Sequence, residues 1–90
     1  MDLQDLREQI DAIDEDLVRL FEKRMDISAE IARYKSAHGL AIHDPARERQ
    51  KLYDLSLKLK KERQAYISAI YKLIFELSKA EQERVCAEII

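Results

Sequence analysis

Arg24 and Lys35 lie eleven residues apart in a stretch of helical periodicity, which places them almost three whole turns apart on one face and about 16 Å from each other along it. Two long cationic side chains at that separation can lean inward and grip a small anion from both sides. Glu48 joins them because the apolar stripe Leu52, Leu55, Leu59, carried back four residues, lands on it. Ser78 and Gln82 are four apart and share a helix face beside Phe75. A core-facing ring of Arg, Lys, Glu, Ser and Gln is costly when empty, because an unpaired buried ion loses on the order of several kcal/mol. A polar dicarboxylate satisfies such a ring. Its chemistry is electrostatic gripping and hydrogen-bond donation. Nucleophilic, metal and phosphate chemistry find no support: one Cys86 with His38 and His43 gives no zinc spacing, and there is no Gly-rich phosphate loop and no nucleophile elbow. Each residue also has an ordinary role open to it. Arg24 and Glu48 can form an internal ion pair, Lys35 can be a surface lysine, and Arg7 can pair with Asp11 one turn on. Asp44 can be only a helix cap, and Ser78 and Gln82 are ordinary on a helix surface.

The elements that must position these residues are helices. The composition, 47% hydrophobic and 38% charged with one Gly, one Pro and no Trp, suits an all-α fold and argues against turn-rich sheets. The stripe Leu3, Leu6, Ile10, Ile13, Leu17, Leu20, Ile27, Ile31, Tyr34 marks a very long first helix, with Arg24 standing where an apolar residue should continue it. Gly39 and Pro45 bracket the one clear loop, residues 38–44, so helix 1 is expected over about 2–37, with Asp2 as its N-cap. At about 1.5 Å per residue it is roughly 50 Å long, whereas a compact chain of this length has a radius of gyration of about 12 Å. One end must therefore project, and its stripe needs a cover. The economical cover is a second copy of the chain, giving an intertwined helical homodimer. Arg7 lies roughly 25 Å before Arg24, too far to serve the same site. In an antiparallel pairing of helix 1 it reaches the partner's site instead.

Asp44 as N-cap and Pro45 at the first helical position open helix 2, expected over about 45–60. A third stripe, Ile67, Ile70, Ile74, Leu77 and on to Val85, defines helix 3 over about 66–88, with a turn near 61–65 that carries neither Gly nor Pro. The whole, 1–90, reads as one domain. A net charge of -2 offers no global field for nucleic acid or an anionic membrane, and no apolar run is long enough to span a bilayer. Without a signal-peptide pattern at the start, the expectation is a soluble, cytoplasmic protein.

Taken in order, these residues resemble the all-helical class of chorismate mutase. The resemblance runs from Leu6 to Gln82 through Leu6-Arg7-Glu8-Gln9-Ile10-Asp11, Ile13-Asp14, the Arg24 segment, Ala32-Arg33-Tyr34-Lys35 and Asp44-Pro45-Ala46-Arg47-Glu48-Arg49. It continues through Tyr66-Ile67 and Leu73-Ile74 to Ser78 and Gln82. The connection between helices 2 and 3 departs from the usual pattern, being about two residues shorter and lacking the common Gly or Pro. The resemblance implies a dimer of three-helix chains whose two active sites, each built from both chains, convert chorismate to prephenate on the route to phenylalanine and tyrosine. It implies carboxylate binding by Arg24 and by Arg7 from the partner chain, and Lys35 contacting both a carboxylate and the ether oxygen. Glu48 and Asp44 match positions that recognise the ring hydroxyl, with Arg47 beside them; Ser78 matches a carboxylate-side position, and Gln82 a second donor to the ether oxygen. A [3,3] rearrangement needs no cofactor, metal or proton transfer. Three other readings stay open: an isochorismate pyruvate lyase of similar fold, disfavoured by the Asp44 and Glu48 pair; a metabolite-binding regulatory domain; and a purely structural dimerisation module.

Overall fold

A computed structural model describes residues 1–89, and Ile90, the last residue of the expected domain, lies outside the described residues. Three α-helices follow in order: α1 (Leu3–His38), α2 (Pro45–Ser56) and α3 (Gln64–Ile89), with a short 3-10 turn (Lys61–Arg63) leading into α3. The described residues contain no strand, and the fold is all-α.

The ends of α1 follow from local chemistry. At its start a capping box forms, with the Asp5 amide donating to Asp2 Oδ1 (2.9 Å) and the Asp2 amide donating to Asp5 Oδ2 (3.2 Å). At its end Gly39 adopts φ +66°, a left-handed conformation that costs glycine nothing, and its amide turns back to the carbonyls of Lys35 and Ser36. The Leu40 amide also bonds Lys35 O at 2.9 Å, closing the last turn. Asp44 then caps α2, its Oδ1 accepting from the Arg47 amide at 3.1 Å, with Pro45 in the first turn.

Both α1 and α2 pack on α3. The face α1 turns to α3 carries Met25, Ser28 and Ala32, all buried, and α3 answers with buried Phe75, Ser78, Gln82 and Val85. Ala32, fully buried and small, lets the helices approach closely enough for Cys86 Sγ to lie 3.7 Å from its carbonyl. This contact occupies only the second half of α1. From Leu3 to Phe21 every residue is exposed, and the molecule measures 54 × 26 × 14 Å with a radius of gyration of 16.4 Å. A compact chain of this length has about 12 Å.

Two expectations are corrected. Helix 2 was expected to about residue 60 and ends at Ser56, whose hydroxyl takes the Tyr53 carbonyl at 2.7 Å. That carbonyl is left only a long 3.4 Å bond from the Leu57 amide, and Lys58 and Leu59 tighten into i→i+3 bonds. The break therefore falls at 57–60. The 61–65 stretch, expected to be a turn, is instead the 3-10 lead-in and the first two residues of α3. The second correction concerns faces. Ile27, Ile31 and Tyr34 on α1, and Ile70 and Leu77 on α3, continue the apolar stripes yet are exposed within the chain.

Candidate active site

Where the second half of α1 crosses α3 and the start of α2, the three helices line a half-open cavity of about 340 Å³. Arg24, Ser28, Ile31 and Lys35 enter it from α1 at spacings of four, three and four residues, one face of one helix. Asp44, Arg47, Glu48 and Lys51 enter from the capped end of α2, and Tyr71, Phe75, Ser78, Lys79 and Gln82 from α3. Ile27 and Ile42 complete the apolar part of the wall.

Of the residues singled out in the sequence, Arg24, Lys35, Asp44, Arg47, Glu48, Ser78 and Gln82 all line this one cavity. Arg7 does not. It lies in the projecting, exposed half of α1, outside the lining of the cavity.

The polar floor is built by three side chains. Ser28 Oγ and Ser78 Oγ share a buried hydrogen bond of 2.7 Å across the α1–α3 contact, and Gln82 Nε2 donates to Ser78 Oγ at 3.3 Å. Gln82 Oε1 is buried and has no partner among the described residues. An amide at a buried site costs free energy until both ends are paired, so one end of Gln82 is available to whatever occupies the cavity. Which end depends on the assignment of its oxygen and nitrogen.

The cations have distinct holds. The Arg24 guanidinium lies over the Tyr71 ring, 5.8 Å from its centroid, which steers the half-buried side chain along the cavity wall. Lys35 Nζ donates to the Ile42 carbonyl at 2.9 Å, tying the loop to α1, and an ammonium group retains two further donors. The ion pair that the sequence left open between Arg24 and Glu48 is not formed. Glu48 Oε2 instead meets Lys79 Nζ at 3.1 Å, bridging α2 to α3 with both side chains about three-quarters buried. Nor does Arg7 pair with Asp11 among the described residues; the α1 ion pairs are Arg19–Asp16 and Arg33–Glu30. Asp44 both caps α2 and faces the cavity. Away from the cavity, a 2.7 Å hydrogen bond from Arg84 holds the Glu81 carboxyl below its ordinary pKa and raises that of Arg84 in turn.

Four polar or aromatic lining residues were missed. Ser28 is four residues after Arg24, Lys51 three after Glu48, and Tyr71 four before Phe75, so following each face one turn further finds them. Lys79 shares that face too, four residues after Phe75 and three before Gln82, but nothing in the sequence names its partner. It stands a residue past Ser78 on α3, and its partner is thirty-one positions away in sequence.

His38 ends α1, its Nδ1 2.8 Å from the Tyr34 carbonyl and its ring stacked on Tyr34 at 4.0 Å; it and His43 are exposed and outside the cavity. No described helix is long and apolar enough to cross a membrane.

Comparison with known proteins gives a consistent set of matches. Residues 6–83 match the family described as chorismate mutase type II. A chorismate mutase from Methanocaldococcus jannaschii is 32% identical over 89 residues, covering 96% of this chain and 89% of that protein. The T-protein of Haemophilus influenzae is 44% identical over 46 residues, covering 51% of this chain but only 12% of its own length. A 4-amino-4-deoxychorismate mutase from Streptomyces venezuelae is 44% identical over 46 residues, covering 51% of this chain and 45% of that protein. The chain thus spans only a small part of the T-protein it matches. No solved structure gives a significant match.

Proposed function

The chain belongs to the chorismate mutase type II family, and on that premise we propose that it is an isomerase converting chorismate to prephenate, on the route to phenylalanine and tyrosine. The observation that carries this reading is the convergence of Arg24, Lys35, Glu48 and Gln82 on one cavity of about 340 Å³, at the small end of the range for ligand sites.

The chemistry asked of these residues is positioning and charge stabilisation. The substrate is a flexible dianion that reacts only when its enolpyruvyl side chain folds over the ring, so fixing both carboxylates supplies much of the acceleration. Arg24 binds one carboxylate, its direction set by Tyr71. As the C–O bond breaks, negative charge grows on the ether oxygen. Lys35, with two donors free beyond the Ile42 carbonyl, supplies hydrogen bonds to it, and Gln82 adds one when its amide presents Nε2 to the cavity. Asp44 and Glu48 receive the ring hydroxyl, with Arg47 beside them, and Ser78 carries the floor that orients Gln82. No step needs a nucleophile, a metal or a cofactor.

The second carboxylate calls for a further cation beside those that line the cavity of one chain, where Lys35 is held to the Ile42 carbonyl and Lys79 to Glu48. In the proposed homodimer, the partner subunit's Arg7 provides it, each chain forming one domain. The exposed stripe supports this arrangement: Leu6, Ile10, Ile13 and Leu17 are 46–57% exposed within the chain, and the large buried apolar side chains are few. Each such residue covered is worth roughly 1–2 kcal/mol, and two antiparallel copies of α1 bury the stripe over its full length.

The test is direct. Purified protein mixed with chorismate should consume its diene absorbance and yield prephenate as the sole product. Pyruvate release from isochorismate, or binding without turnover, would instead support the lyase and regulatory readings. A second mutase reading has its own support in the Streptomyces venezuelae relative: 4-amino-4-deoxychorismate as substrate. Supplying both compounds separately, with product chromatography, decides between them.

A further inference from the structure

We infer that Lys79 sets the substrate selectivity of this site, favouring a ring hydroxyl over a ring ammonium by neutralising the carboxylate that meets that group. The inference rests on the mutase reading above and adds to it a residue that the sequence did not single out.

Among the charged side chains lining the cavity, five are cationic and two are carboxylates. The two carboxylates are Asp44 and Glu48, and both have a hold within the protein. Asp44 Oδ1 accepts the backbone amide of Arg47, and Glu48 Oε2 faces Lys79 Nζ at 3.1 Å. Among the described residues no other cation lies within ion-pair distance of Glu48. The pair is three-quarters buried on both sides, so it is screened less than a surface ion pair.

A carboxylate has two oxygens and about four acceptor positions. With Oε2 turned to Lys79, Oε1 is the oxygen left for a ligand. The Lys79 contact fixes the side-chain rotamer and cancels the net charge of the pair, while leaving acceptor capacity in place. A neutral hydroxyl needs an acceptor and gains from its being fixed. An ammonium group needs net negative charge, and here it meets a carboxylate already compensated, with a second cation close behind it. The two compounds are otherwise alike: the amino analogue exchanges the ring hydroxyl for an amine that is protonated at neutral pH. Lys79 thus acts as a positioning residue through Glu48. The bland reading is that the ion pair only staples α2 to α3. A staple predicts equal losses for both substrates; a selectivity device predicts unequal ones.

The experiment compares kcat/KM for chorismate and for 4-amino-4-deoxychorismate in the wild type, Lys79→Met, Lys79→Gln and Lys79→Arg. The wild type should prefer chorismate. In Lys79→Met and Lys79→Gln the ratio should move toward the amino compound by about ten-fold, the worth of roughly one partly screened charge contact, mainly through KM. Lys79→Arg, which keeps the cation, should return the ratio toward that of the wild type. If wild type turns over chorismate and both neutral variants keep its ratio, or move away from the amino compound, the role of Lys79 is overturned while the mutase reading stands. A wild type that turns over neither compound overturns the mutase reading and this role with it. Should Lys79→Met fail to fold, Lys79→Gln, which keeps a polar group of similar reach, carries the same comparison.

Discussion

Removing the ammonium of Lys35 should abolish most turnover and leave the protein folded, and the structure separates the two effects. One donor of Lys35 Nζ is committed to the Ile42 carbonyl at 2.9 Å; two remain for the cavity. Lys35→Met keeps most of the aliphatic stem against the wall and deletes all three. The structural loss is one charge-assisted hydrogen bond to a half-buried loop residue, about 1.5–3 kcal/mol at most and less where water can reach the carbonyl. A chain of this size has roughly 5–13 kcal/mol of stability, so the variant remains folded, with a melting temperature lower by something on the order of 10 °C. The chemical loss is a donor to developing negative charge, which typically costs about 2.7–4 kcal/mol, or a hundred- to a thousand-fold in kcat. Chorismate consumption followed by absorbance, with circular dichroism melts on the same samples, reads both numbers. Lys35→Arg retains the charge but not the ammonium geometry, and should keep the fold while recovering only part of the rate. Turnover of folded Lys35→Met within about three-fold of wild type, against the hundred-fold expected of a charge-stabilising donor, would refute the mechanism.

Arg7→Ala and Arg24→Ala should each be nearly inactive, yet refolding them together in equal amounts should restore about a quarter of wild-type activity: half the dimers are mixed, and each mixed dimer regains one complete site. Recovery of nothing would remove Arg7 from the shared site. Ser78→Ala leaves Ser28 Oγ and Gln82 Nε2 without their partner and should cost about 1–3 kcal/mol in urea unfolding. Adding Ser28→Ala should cost less than the two single losses summed, by roughly 0.5–1.5 kcal/mol, because the two hydroxyls pair with each other. Gly39→Ala places a Cβ where no atom lies within 4 Å, so only the left-handed backbone is penalised, and a loss of about 1–2 kcal/mol without change in kcat is expected.

The helices and most of the cavity were legible because both rest on short-range repeats. Capping chemistry at Asp2, Gly39, Asp44 and Pro45 sets three helix ends, and four-residue spacing is enough to gather Ser78 with Gln82 and to project Glu48 inward. The end of α2 was less legible, since it turns on a Ser56 hydroxyl competing for one carbonyl, and serine is common inside helices too. Lys79 was missed for a different reason. The spacing from Phe75 and to Gln82 puts it on the cavity face, but its meaning comes from Glu48 on another helix, and no pattern on α3 reveals that pairing.

The face of α1 is the instructive failure. Two interleaved sets of residues obey helical spacing in its second half: Met25, Ser28, Ala32 and Ile27, Ile31, Tyr34. Hydrophobicity ranks the second set higher, yet the chain buries the first against α3, and the second is left 41–60% exposed. The choice follows from what each set contains. Ala32 permits close approach, and Ser28 supplies the one hydroxyl that Ser78 needs in a buried contact, so the less apolar face is the one complementary to α3. A helix can give up its oilier face only if something else covers it. The same argument applies more strongly to Leu3 through Phe21, where no face is buried at all. The proposed second copy of α1 therefore does two things with one contact: it covers the exposed stripe, and it brings the partner's Arg7 toward the cavity.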